Sequence, residues 1–210
     1  MPVSNRDDDS LQSKVESWAT VARQHEIELE STRIQLWDRQ SESESWANVA
    51  REAQVAASFD VLVPIYNKRK GQELLATVLL ESDTSDKPLS IIACDIDFFK
   101  QVNDEHGHQI GDQVLIEVAK ILDKKFIAYR NGGEEFIIIC QDTTSTHACE
   151  HAESLRRSIE SAKISGISIT CSFGVAQHRQ GMSIDKLIKH ADDALYNAKN
   201  SGRNKVVIFE

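Results

Sequence analysis

Two hydrophobic rhythms divide this chain near Ser58. Before that point a seam recurs at alternating spacings of 4 and 3 residues through Leu11, Val15, Trp18, Ala22, His25 and Leu29. The same register continues through Thr32, Leu36, Arg39, Ser43, Trp46, Ala50, Ala53 and Ala57, with a polar middle. Neither glycine nor proline interrupts residues 3–58. Such spacing predicts a long helix whose seam faces a partner helix. A repeat reinforces it: Glu16-Ser17-Trp18-Ala19 and Val21-Ala22-Arg23 return as Glu44-Ser45-Trp46-Ala47 and Val49-Ala50-Arg51. The offset of 28 residues is four heptads, which brings equivalent side chains back to one face of a supercoil. Residues 1–58 are therefore expected to form a parallel coiled coil for dimerisation and signal input. An antiparallel hairpin turning within 38–45 is the other arrangement the pattern allows.

From 59 to 210 the rhythm alternates between periods. Helices are expected over 68–81, 98–106, 111–124, 145–163 and 184–200, and strands over 89–95, 126–130, 135–140, 167–175 and 205–209. Helices interspersed with strands, plus one tight hairpin at Gly132-Gly133, predict an α/β domain with a mixed sheet.

The candidate chemistry lies at two strand ends. Asn131-Gly132-Gly133-Glu134-Glu135-Phe136 sets two carboxylates directly after a glycine turn and before the apolar run Ile137-Ile138-Ile139. Asp95-Ile96-Asp97 closes the apolar run that begins at Leu89. Carboxylates crowded at strand ends are costly unless something positive sits among them, most economically a divalent cation. Two such ends converging on metal ions point to phosphate chemistry.

These blocks together resemble the GGDEF family of diguanylate cyclases, in its GGEEF variant, over roughly Asp60 to Phe209. The matching stretches, in family order, are Asp95 to Asp104, Gly107 to Asp112, the signature itself, Ser172 to Ala176, Ala191 to Lys199, and Ser201-Gly202-Arg203-Asn204. The resemblance implies a ferredoxin-like fold, similar to nucleotidyl cyclase and polymerase palm domains. It also implies condensation of two GTP into cyclic di-GMP, with release of two pyrophosphates, by a homodimer. Two magnesium or manganese ions per site would be held by Asp95, the carbonyl of Ile96, Glu134 and Glu135, and oxygen ligands suit such hard cations. Glu134 would also assist deprotonation of the 3′-hydroxyl. Lys100, Lys199 and Arg203 match the positions that bind the β- and γ-phosphates, Lys100 with a catalytic role. Asn103 and Asp112 match the guanine readers, and Leu115 is expected to line the base pocket. A carboxylate at Asp112 accepts from guanine N1–H and its amino group, which adenine does not offer in that arrangement.

Taken singly, each feature has an ordinary reading. Asp95 or Asp112 alone would be a helix cap or a solvated strand end, Lys199 and Arg203 alone would complement a helix C-terminus, and Gly132-Gly133 alone would be a turn. Their joint occurrence in family order is what assigns the site. Asp97, His108 and Arg130 are expected to be structural. His147 and His151 share one helical face, and with no second ligand cluster they read as a solvated face.

Composition adds limits. The net charge of −9 argues against non-specific nucleic-acid binding. No apolar run approaches the roughly 20 residues of a membrane span, and the acidic start is unlike a secretory signal, so a cytoplasmic protein is expected. Cys94, Cys140, Cys149 and Cys171 lack paired spacing and read as reduced thiols, mostly in the core.

Three departures from the family pattern stand out. The positions of the inhibitory product motif Arg-x-x-Asp are Asp123 and Phe126, so no inhibitory product site is expected. The motif that opens the domain carries Val63-Pro64 where Thr-Gly is usual, which stiffens the turn. No receiver, PAS or GAF pattern precedes the domain, so input would come through the helical region, with an unidentified signalling partner, or activity would be constitutive. The alternative function is a catalytically silent GTP-binding sensor or scaffold acting through protein contacts.

Overall fold

The computed structural model describes the backbone of residues 6–210 and the side chains of Gln24, 28–33, 35–40 and 42–210. The expected seam positions before residue 28 lie outside the described side chains. The chain separates into two compact units, one ending at Val55 and one comprising Ala56–Glu210.

The first unit is a single helix, α1 (Arg6–Ala56). It runs unbroken through 38–45, so the hairpin arrangement is replaced by one continuous helix. A polar stretch without glycine or proline offers nothing that would terminate a helix. Leu36 is 61% exposed and Trp46 is 73% exposed, an unusual disposition for large apolar side chains.

The second unit is built on a five-stranded sheet in the order β2-β3-β1-β6-β7, where β1 is Ser90–Ile96, β2 Ile127–Gly132, β3 Glu135–Cys140, β6 Cys171–Gln177 and β7 Val206–Ile208. Strand β1 is antiparallel to both β3 and β6, β2 is antiparallel to β3, and β7 runs parallel to β6. The expected strand 167–175 is divided. Ile167–Ser168 (β5) pairs with Lys163–Ile164 (β4) in a separate small hairpin through Gly166, and β6 starts only at Cys171.

Side-chain alternation sorts the core. Ile92, Cys94 and Ile96 of β1 face a cluster completed by α4 (His108–Leu122) and α5 (Ser145–Ser161). Ile91 and Ala93 face the other layer, α2 (Lys68–Ser85) and α6 (Ile184–Asn200), through Leu75, Leu187, Ala191 and Leu195. By that parity Asp95 points to the α6 side. Asn67, Thr144 and Ser183 cap α2, α5 and α6 by accepting from the amides of Lys70, His147 and Lys186. Gly174 lets α6 lie against the sheet: a Cβ there would meet Ala191 O and Leu195 N at 2.2 Å.

The Val63-Pro64 turn is accommodated. Ile65 N donates to Val63 O at 2.9 Å, a three-residue turn around Pro64 that the proline φ suits. Asp60 Oδ1 accepts from the amides of Leu62 and Val63, and Val63 and Ile65 are buried.

Candidate active site

The strand register assembles the acidic end. In the ladders Asp95 sits opposite Glu135 on one side and Ser172 on the other, and Glu134 precedes Glu135 at the hairpin. Gly133 adopts a left-handed φ of 49°, which favours glycine. Arg130 fixes this turn: its Nε and Nη2 donate to Gly133 O at 2.9 and 2.7 Å, while Nη1 donates to Asp60 Oδ1 at 3.0 Å. One guanidinium thus ties the signature hairpin to the segment that opens the domain.

Asp95 is nearly buried, and its carboxyl is pushed up to about 6. Burial is the largest cause; Lys199 opposes it, and Glu134 and Glu135 add to it. Lys199 Nζ lies 2.7 Å from Asp95 Oδ2. The carboxylates therefore sit where positive charge is favourable, and this donor set fits a hard divalent cation. As placed, among the described residues, no three metal-type side chains converge on one point, and Lys199 supplies the positive charge.

Asp97 has its own hydrogen-bond partners. It accepts from Ser172 Oγ and Thr170 Oγ1, both at 2.7 Å, and from Asn204 N at 3.0 Å. It anchors the turn after α6 to the end of β1, a structural task. That turn carries Arg203, whose guanidinium carbon lies 4.5 Å from the centre of the Phe98 ring. Lys100 projects from α3 (Phe99–His106) as an exposed side chain. Residue order alone gives Phe98 no role. Its signal is an aromatic residue with left-handed backbone, φ 56°, visible only in three dimensions. Burial chiefly, and then Glu135, raise the Asp192 carboxyl.

The expected guanine readers gather on α3 and α4. Asn103 packs against Gly111, where a Cβ would come within 1.9 Å of its Oδ1. Asp112 follows, exposed, whereas Leu115 is buried in the core and only 3% exposed. These groups lie on the two helices that follow β1.

The short connection between α4 and β2 contains Asp123, whose Oδ1 accepts from Ala128 N at 3.2 Å, and Phe126, which meets the His151 ring edge-on at 4.9 Å. A cavity of about 530 Å³ opens there beside Lys125, His147 and His151. Another cavity, beside His178, lies at the end of β6 remote from Asp95. Both are away from the acidic strand ends.

Comparison with known proteins gives a consistent result. The family model described as diguanylate cyclase, GGDEF domain, matches residues 57–205. Diguanylate cyclase VdcA of Vibrio cholerae serotype O1 is 41% identical over 165 residues, covering 73% of this chain and 48% of VdcA. The chain thus spans about half the length of that relative. The coiled coil and GGDEF domain of DgcB from Caulobacter crescentus, solved with c-di-GMP, superposes with a TM-score of 0.78 at 28% identity, over 85% of this chain and 99% of that one. Diguanylate cyclase SiaD from Pseudomonas aeruginosa, solved with its activator SiaC, gives a TM-score of 0.68 at 30% identity, over 95% of this chain and 83% of that one.

Proposed function

Because the chain belongs to the GGDEF diguanylate cyclase family, we propose that it condenses two GTP into cyclic di-GMP as a homodimer. The observation that carries this reading is the placement of Asp95, Glu134 and Glu135 at one end of the sheet, with Lys199 on Asp95.

In each half-reaction a 3′-hydroxyl oxygen forms a bond to the α-phosphorus of the other nucleotide. The bond from that phosphorus to the bridging oxygen of the β-phosphate breaks, and pyrophosphate leaves. Asp95, the Ile96 carbonyl, Glu134 and Glu135 would hold two magnesium or manganese ions. Such ions, when bound, neutralise the triphosphate and acidify the attacking hydroxyl. Glu134 takes up the hydroxyl proton. Lys100, Lys199 and Arg203 bind the β- and γ-phosphates and favour departure of pyrophosphate. For this, Lys199 exchanges its Asp95 partner for phosphate oxygens. Asn103 and Asp112 read guanine, and Leu115 lines the pocket for the base.

One domain offers one such set of groups, so joining two nucleotides calls for two domains face to face across a two-fold axis. The exposed seam residues of α1, Leu29, Leu36 and Trp46, support pairing through a parallel coiled coil. SiaD, to which 95% of this chain is similar, was solved with an activator protein, and a protein partner is likewise proposed to act on this chain. No helix among the described residues is long and apolar enough to cross a membrane, which is compatible with a cytoplasmic site of action.

Incubation of the full chain with GTP and Mg²⁺, with products identified by mass spectrometry, tests the proposal. Cyclic di-GMP and pyrophosphate are expected. Tight GTP binding without product, even after forced dimerisation, would favour the silent sensor instead.

A further inference from the structure

We infer that Phe98 is a positioning residue for Arg203, aiming its guanidinium at the terminal phosphates of the nucleotide without neutralising it. This rests on the phosphate-binding role proposed above for Arg203.

The two residues sit on separate turns that one hydrogen bond clamps together. Asn204 N donates to Asp97 Oδ2 at 3.0 Å, and the immediate neighbours of that pair are Arg203 and Phe98. Both turns are fixed from behind. Arg203 N donates to Ala198 O at 3.0 Å. Asn204 Oδ1 accepts from Arg156 Nη1 at 2.8 Å, and Asn204 Nδ2 donates to Glu160 Oε1 at 2.7 Å. Asp97 is held by Ser172 and Thr170 from β6 and the residue before it.

Both residues adopt left-handed backbone conformations, φ 56° at Phe98 and φ 60° at Arg203. An aromatic residue is an unfavourable choice there, since its Cβ crowds the following carbonyl, and asparagine or glycine would sit more easily. Phe98 is also 60% exposed, so core packing does not account for it. What the ring does contact is the guanidinium of Arg203, 4.5 Å from its centre.

The chemistry of that contact decides its use. A carboxylate partner would occupy the N–H donors of Arg203 and cancel its charge. An aromatic face binds the cation through its quadrupole and leaves the N–H edge available. Among the described residues Arg203 forms no ion pair with a carboxylate. The ring therefore restricts a flexible side chain while leaving its donors for an anion. Less side-chain freedom remains to be lost when phosphate arrives.

Five variants of the full chain test this: Phe98→Leu, Phe98→Tyr, Phe98→Asn, Arg203→Ala, and Phe98→Leu combined with Arg203→Ala. Affinities for GTP and for GMP are measured by titration calorimetry, alongside turnover and melting temperature. Phe98→Leu is expected to weaken GTP binding roughly three- to tenfold, the range of a partly exposed cation–π contact, and to leave GMP binding unchanged. Phe98→Tyr should recover the GTP affinity. Phe98→Asn should melt higher than the parent because its backbone is relaxed, yet bind GTP as weakly as the leucine variant. In the Arg203→Ala background the leucine substitution should have no further effect. Parental GTP affinity in Phe98→Leu, or an undiminished loss in the double variant, would overturn the inference. A parent that binds GTP and yields no cyclic di-GMP would sink the cyclase reading alone, since the affinity comparison needs no turnover.

Discussion

Lys199 of α6 holds Asp95 of β1 through an Nζ to Oδ2 contact of 2.7 Å, at the point where the ladder sets Asp95 opposite Glu135. One ammonium thus serves a cluster of carboxylates that lacks enough positive charge of its own. Two consequences follow for pH and for metal.

Asp95 titrates near 6 in the folded chain against an ordinary value of 3.8, with burial as the main cause. Between roughly pH 4 and 6 the folded form therefore retains a proton that the unfolded chain has released. Ionising Asp95 thus costs stability as pH rises through that window, with the full cost present above it. Asp95→Asn should accordingly be more stable than the parent at pH 8 without divalent ions, by about 1–3 kcal/mol. The gain should vanish below about pH 4. Added Mg²⁺ should raise the parent's melting temperature and leave the variant's unmoved. An unstable Asp95→Asn protein at pH 8 would contradict the account.

Glu134→Gln should fold and bind GTP but lose turnover by about 10²–10⁴-fold, the scale of a lost proton acceptor. Single-turnover assays with Mg²⁺ and with Mn²⁺ would measure it. Near-parental rates with both ions would remove Glu134 from the chemistry.

Arg130→Met removes the link from Asp60 to Gly133 and leaves a partly buried carboxylate unpaired, since the Asp60 side chain is only 17% exposed. Urea denaturation should show a loss of about 3 kcal/mol. Turnover should fall as well, because the signature hairpin loses its anchor. A stable variant with reduced turnover would mean that Arg130 acts on catalysis other than through the turn.

Gly174→Ala places a methyl against backbone atoms of α6 that have no rotamer by which to withdraw. The variant should lose at least about 3 kcal/mol or fail to fold. A circular dichroism melt within a few degrees of the parent would show that α6 can shift away from the sheet.

Removal of residues 1–55 should leave the catalytic unit folded and make specific turnover depend steeply on protein concentration. Without α1, the local concentration of one domain near another falls to that of the bulk solution. Dilution series of both forms would read this out, and identical curves would detach α1 from dimerisation.

Much of this protein was legible from residue order. The alternation of apolar positions located five helices and most strands of the second unit, because 3.6- and 2-residue periods are imposed by which face is buried. Helix α6 and strand β3 lie where the pattern predicted them. The signature and its companion blocks carry the family resemblance in residue order alone. The break at 169–170 was not legible. Ile167 and Cys171 read as one apolar run, and only tertiary pairing sends the first into a separate hairpin while the second joins β1. Nor did a polar middle reveal whether α1 turned back, since absence of a breaker permits a continuous helix without requiring it.

The site divides in the same way. Sequence determined which residue types stand at the acidic strand ends, because motif spacing is a property of the chain. Tertiary structure decided their partners: Lys199 on Asp95, Arg130 on both Gly133 and Asp60, and Arg203 on Phe98. Each contact depends on sheet register, on strand parity or on a left-handed backbone residue. All of these are settled only when distant segments pack together and desolvate one another, which no local pattern encodes.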